Sequence, residues 1–184
     1  MLSDRLRKVL HLHLHPTEYC SLFPRDCAFP YAYDDSGEPL LTRIQLSNEL
    51  AYYFLFERIR RDLYVAVYSD EQVQRRMIDT LFIDIDDKEL SKAYDKLWYV
   101  LGRLEEWGVD PGKLRVYFSG AKGFHIFIDF RPLWLPNHIH FRSLVIRLLK
   151  RLGITGEIVD VRVVGDWRRI SRVPYTVNSR TGLY

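Results

Sequence analysis

Cysteine is scarce in this chain. Cys20 and Cys27 are its only two, too few for a disulfide framework, and the expectation is a reduced pair in an intracellular protein. Long apolar runs are missing too. No stretch approaches the ~18 residues that a membrane-spanning helix requires, so the reading is a soluble protein with no membrane partner. The opening MLSDRLRKVLHLHLH interrupts its apolar residues too often for the core of a signal peptide, which argues against secretion and leaves the cytoplasm as the expected compartment. Internal repeats and low-complexity tracts are absent as well. Charge of one sign does not dominate either: a net charge of +3 is too mild to establish nucleic-acid binding by itself.

What the chain does have is apolar and aromatic content, 47% and 14% of its 184 residues, enough for one compact unit with a full core. Its basic residues are unevenly spread. Arg142, Arg147, Lys150, Arg151, Arg162, Arg168, Arg169, Arg172 and Arg180 crowd the last third. That crowding fits a polyanion-binding surface or, for the first few, a solvated helix face, and both readings stay open.

The polar stretch YDDSGEP at 33–39 reads as a turn separating an N-terminal piece, and Ser47 as the cap of a buried helix through ELAYYFLFERIRRDL. From residue 79 the pattern becomes regular. TLFIDID predicts a strand, 88–107 a helix with Leu90, Tyr94, Leu97, Leu101 and Leu104 on one stripe, and LRVYFS and FHIFIDF two strands joined through SGAKG. A second helix over 138–152 ends at Gly153, and EIVDVRV predicts a last strand. The predicted order is β-α-β-β-α-β, the ferredoxin-like or RNA-recognition-motif-like unit, in the α+β class. With that fold's usual strand order 4-1-3-2, the first strand is central.

Asp84 and Asp86 stand two residues apart in the first predicted strand, so both carboxylates leave the sheet on one face while Ile83 and Ile85 point to the helices. A divalent ion would relieve their mutual repulsion. Asp86 and Asp87 could equally serve to cap the following helix. The antiparallel topology brings the starts of the third and fourth strands beside this end, and those carry His125 and Asp160. A lone strand histidine is usually structural, but His125 follows SGAKGF. There Gly120 and Gly123 permit a close turn, and its N–H groups, with Ser119 and Lys122, are suited to hold phosphate. Three carboxylates beside a phosphate turn fit two-metal nucleotidyl transfer, in which one ion activates a 3′-hydroxyl and the other steadies the leaving pyrophosphate.

FIDID, YFSGAKGFHIFI and VDVRVVGDWRRISRVPYTVNSRTGL, in that order, resemble the three motifs of archaeo-eukaryotic primase small subunits and primase-polymerases. The resemblance covers roughly residues 79–184. It implies Asp84 and Asp86 as the family's DxD metal pair, and Ser119, Gly120, Lys122, Gly123 and His125 as its nucleotide-binding turn and strand. It further implies Asp160 as the third metal-binding carboxylate and Arg169, Arg172 and Asn178 as nucleotide-binding positions. Arg172 stands at a basic contact and Asn178 where many members carry histidine, while Pro174, Tyr175 and Thr176 match the family's stretch there. The implied fold is an RNA-recognition-like catalytic unit (79–184) joined to an N-terminal α/β module (1–78). The implied cofactors are two Mg²⁺ or Mn²⁺ ions. The implied partners are single-stranded DNA template, primer and (d)NTPs, with a helical primase domain, large subunit or helicase in the full system, in nucleoid, plasmid or viral replication. A chain ending just past the third motif is expected to be a trimmed core or a small member without that helical domain.

Rival readings remain. A non-catalytic accessory subunit would share the fold, yet has little reason to align three carboxylates around a phosphate turn. An RNA-recognition module should present stacking aromatics on its sheet instead of Asp84, Asp86 and Asp160. Among the aromatics, Tyr117, Phe127, Trp134, Trp167 and Tyr175 read as packing residues more readily than as base-stacking ones. A haloacid-dehalogenase-like phosphatase also begins DxD, but its usual Thr or Val is missing after Asp86. His11, His13, His15, Cys20 and Cys27 are zinc-accepting types, although no paired CxxC knuckle is present.

Overall fold

The computed structural model describes residues 25–33, 39–46, 62–173 and 176–183, with side chains from residue 62 onward. These fall into two compact units. One is Arg76–Asp166; the other holds the described residues up to Arg75 together with the chain from Trp167 on. The divisions of the chain thus fall at 75/76 and at 166/167.

In the first unit, β4 (Met77–Asp86) is followed by α2 (Leu90–Glu106), a short 3₁₀ turn at Pro111–Lys113, β5 (Leu114–Phe118), β6 (Gly123–Trp134) and α3 (Phe141–Arg151). The sheet is antiparallel with order β4-β6-β5. Period-2 alternation explains its two sides: Ile83, Ile85, Ile126 and Ile128 of β4 and β6 are buried with Ala93, Leu97, Val100, Leu101 and Leu104 of α2 and Val145 and Leu149 of α3. The α2 stripe is thus shifted from the expected one. Leu90 and Tyr94, expected at its start, are exposed, and Ala93 takes the buried position in the first turn instead.

One predicted element is corrected. Residues 157–163 form no strand but a run of turns, so the sheet has three strands and β6, not β4, is central. The competing interactions are local. Thr155 O accepts the N–H groups of Ile158 and Val159, and the Asp160 carboxylate accepts the N–H of Arg162 at 2.9 Å, an Asx-type bond that takes the donor a ladder would need. Gly153 and Gly165, both at positive φ, turn the chain on either side. The α+β class holds, with antiparallel sheets; the full β-α-β-β-α-β order does not.

The second unit carries a four-stranded sheet of order β2-β1-β3-β7, from β2 (Pro39–Leu46), β1 (Arg25–Tyr33), β3 (Tyr64–Ala66) and β7 (Ile170–Arg172), and a short helix α1 (Asp70–Arg75). The C-terminal segment belongs here because β7 pairs with β3, Val65 opposite Ser171. Val173 N donates to Leu63 O and Val67 N to Arg169 O, extending the same pairing. The expected helix beginning at Ser47, the turn tip inside 33–39, and the candidate zinc ligands His11, His13, His15 and Cys20 lie outside the described residues, as does the Cys27 side chain.

Candidate functional site

The register of β4 on β6 sets the candidate site. Asp84 stands opposite His125 and Asp86 opposite Gly123, at the end of β4 that meets the turn between β5 and β6. With Ile83 and Ile85 committed to the core, Asp84 faces the other side of the sheet. There its Oδ1 lies 3.7 Å from His125 Nε2, and both side chains are largely covered. His125 is further fixed against Phe82, ring centroids 5.2 Å apart, and Phe82 and Tyr117 each pack edge-on to Phe127. Phe127 and Tyr117 are packing residues here, as read from the sequence.

The turn is built to approach β4 closely. Gly120 has φ +85°, and Ser119 is joined to Gly123 twice, its N–H to Gly123 O and its Oγ accepting the Gly123 N–H at 3.1 Å. A β-carbon on Gly123 would stand 2.0 Å from Ile85 O and 2.6 Å from Asp86 Oδ1, so only glycine allows this contact. Lys122 extends from the turn to Asp86, Nζ to Oδ2 3.2 Å, while Lys122 O accepts the Asp87 N–H.

The neighbouring acids divide the work that the sequence left open. Asp87 pairs with Lys96 at 2.8 Å and accepts the Glu89 N–H at the entry to α2. The Lys96 hydrogen bond and that N–H hold its carboxyl below the usual range. Asp87 thus takes the structural, helix-entry role, and Asp86 remains exposed at the strand end.

Asp160 arrives from the turn run. Its N–H donates to Asp84 O at 2.9 Å, which sets the two backbones side by side without a fourth strand. Its carboxylate, however, is gripped by Arg162: Nε to Oδ1 and Nη2 to Oδ2, each 2.9 Å, and this pair raises the guanidinium pKa further above its ordinary value. From the sequence Arg162 counts only among the basic residues of the last third; an acid and an arginine two residues apart in a turn is the signal that identifies such a clamp.

The donor set bears on a divalent ion in two ways. Three carboxylates on adjoining backbone are the hard oxygen ligands that Mg²⁺ or Mn²⁺ prefers. Each, though, has another side chain of the chain beside it: the His125 ring for Asp84, and the cations Lys122 for Asp86 and Arg162 for Asp160. Among the described residues no three acidic, histidine or cysteine groups stand together as a ready metal cage. The donor chemistry suits an ion; the present orientation of Asp160 suits Arg162.

The remaining predicted positions lie in the second unit and are engaged there. Arg172 Nη1 binds Asp62 Oδ1 at 2.7 Å, Nη2 binds the Tyr64 hydroxyl at 2.9 Å, and the guanidinium sits 4.9 Å from the Tyr64 ring centroid. Asp62, 1% exposed and at φ +49°, also accepts the Ser179 N–H. Burial pushes the Asp62 carboxyl up, but the bonds from Ser179 and Arg172 outweigh it and hold the group below the usual range. Asn178 Oδ1 accepts the N–H groups of Arg180 and Thr181 and so closes a turn. Arg169 offers its carbonyl to Val67, and Thr176 Oγ1 donates to Val173 O at 2.7 Å. Pro174 and Tyr175 lie outside the described residues. No local pattern flags Asp62, whose partner is 110 positions away.

No family model matches the chain, and no curated protein matches it. Among solved structures, it is similar to the polymerase domain from Mycobacterium tuberculosis ligase D in complex with DNA, at 14% identity and a TM-score of 0.45. The alignment covers 84% of this chain, which spans 59% of the length of that one.

Proposed function

We propose that this chain is a nucleotidyltransferase of the primase or primase-polymerase kind, joining (d)NTPs on a single-stranded DNA template. The observation that carries the reading is one junction: Asp84 and Asp86 at the end of β4, the Ser119–Gly123 turn seated on Asp86, and Asp160 hydrogen-bonded by its backbone to Asp84. Carboxylates and a glycine turn with a lysine are what a metal-bound triphosphate requires.

In this reading Asp84, Asp86 and Asp160 hold Mg²⁺ or Mn²⁺. Bound ions supply an activated 3′-hydroxyl and charge neutralisation at the leaving pyrophosphate. The chain's own part is to position. Lys122 and the turn's N–H groups bind phosphate oxygens, the buried ring of His125 fixes the orientation of Asp84, and Gly123 keeps the turn pressed onto β4. Arg162 holds Asp160 while no ion draws on its carboxylate.

The Arg162 grip favours a second reading, a nucleic-acid-binding accessory subunit in which Asp160 is structural. Incorporation of labelled dNTPs and NTPs on single-stranded DNA, with and without primer, in Mg²⁺ or Mn²⁺, separates the two. Product that vanishes in Asp84→Ala supports the transferase, and product without primer makes it a primase. Folded protein that binds DNA and forms no product in either metal supports the accessory subunit.

A further inference from the structure

The outer face of α3 is cationic along its length. Phe141, Val145 and Leu149 turn into the core, and Arg142, Arg147, Lys150 and Arg151 are exposed. The helix contains no acidic residue. Among the described residues, the ion pairs of this unit use other cations, namely Lys92, Lys96, Arg103, Arg115, Lys122 and Arg162. The hydrogen bonds that Arg142 and Arg147 make go to backbone carbonyls, Val161 O at 3.2 Å and Ser143 O at 3.3 Å. A solvated face that serves only solubility ordinarily mixes the two signs; this one does not.

The stripe also has a place. Arg142 reaches Val161, the residue after Asp160, and Asp160 is bonded to Asp84. Gly165 sits where a β-carbon would stand 2.5 Å from Arg142 Cα, so the N-terminal turn of α3 is pressed against the segment carrying Asp160. From that end the cations continue for nine residues, ~14 Å at 1.5 Å per residue. A row of positive charge that starts beside a phosphate-handling site and leads away from it has the form of a track for a polyanionic strand.

We infer that the outer face of α3 binds the sugar-phosphate backbone of a single-stranded nucleic acid, leading the strand toward or away from the carboxylate end of β4. The inference rests on the proposed nucleotidyltransferase reading for the direction of the strand, and not for the binding itself. Contact is with phosphate, so it is independent of base sequence and steeply salt-dependent.

The test is fluorescence anisotropy of a labelled 20-residue oligo-dT with the full chain, without metal or nucleotide, over a salt series. The variant is Arg147→Gln, Lys150→Gln, Arg151→Gln, three exposed positions remote from the core, with a far-UV circular dichroism and melting control. Its affinity at low salt falls more than tenfold, and the slope of log K against log salt flattens by about 2, from roughly 0.7 per lost phosphate contact. Arg147→Lys with Arg151→Lys keeps the slope. Unchanged affinity and slope in the neutralised variant overturn the inference. So does tighter wild-type binding to phosphatidylserine vesicles than to the oligonucleotide at the same salt, which assigns the stripe to a lipid surface. Because the assay contains neither metal nor nucleotide, it stands or fails separately from incorporation.

Discussion

Two carboxylates of this chain, Asp86 and Asp62, both face a cation, and they differ in almost everything else. Asp62 is 1% exposed, bonded by Arg172 and by a backbone N–H, and the arginine is itself held by the Tyr64 hydroxyl and ring. Asp86 stands exposed at a strand end, with one flexible lysine 3.2 Å away. A buried acid whose donors are fixed on several elements is part of the fold, since removing any member strands a charge. An exposed acid with a mobile partner can exchange that partner at little cost. The difference separates a brace from a candidate site, and Arg172, which the resemblance implies as a nucleotide contact, is engaged in the brace.

The sharpest way to break the contrast is to cut the brace. Asp62→Ala leaves Arg172 buried without its acid and should cost about 3–5 kcal/mol, read as a fall in urea midpoint. A variant as stable as wild type would contradict the brace. Gly123→Ala comes next, on the site side. Its β-carbon meets Ile85 O, and crowding of this kind costs about 1–3 kcal/mol, with a loss of nucleotide binding measured by titration with a fluorescent nucleotide.

A smaller effect follows from pH. The Asp62 carboxyl is depressed in the folded chain, so its contribution is present above the ordinary aspartate value near 4 and is lost as pH falls through the lower folded value. Melting temperature should therefore drop on acidification below about pH 4, and Asp62→Asn should flatten that part of the profile; an unchanged acid limb would count against the brace. The smallest effect concerns Arg162. Its loss in Arg162→Ala should leave melting as an ordinary surface substitution does, while Mn²⁺ affinity rises a few-fold as Asp160 is released. A fall in affinity would make Arg162 a support of the site instead of a competitor.

How much of this was legible in the sequence depended on the range of the interactions. The alternation in TLFIDID and FHIFIDF identified the strands and the direction of Asp84, and the SGAKG glycines marked a turn whose close approach the Gly123 contact explains. The spacing of Leu97, Leu101 and Leu104 located α2, although its buried stripe starts at Ala93 instead of at Leu90 and Tyr94. EIVDVRV failed for a local reason: Val159 is buried as a strand would have it, but the Asp160 side chain claims the Arg162 N–H and bends the chain. The second unit was least legible because β3 and β7 are three residues each, too short for periodicity, and because Asp62 finds its partners only through the fold.

In the proposed function Asp84 and Asp86 exchange their present partners for a divalent ion. Mn²⁺ binding followed by electron paramagnetic resonance, with nucleotide present, tests it in wild type and in Asp84→Asn with Asp86→Asn. The expected result is saturable Mn²⁺ binding by the wild type that the double variant loses while its melting temperature is kept. Mn²⁺ bound equally by both proteins, or by neither, would contradict it.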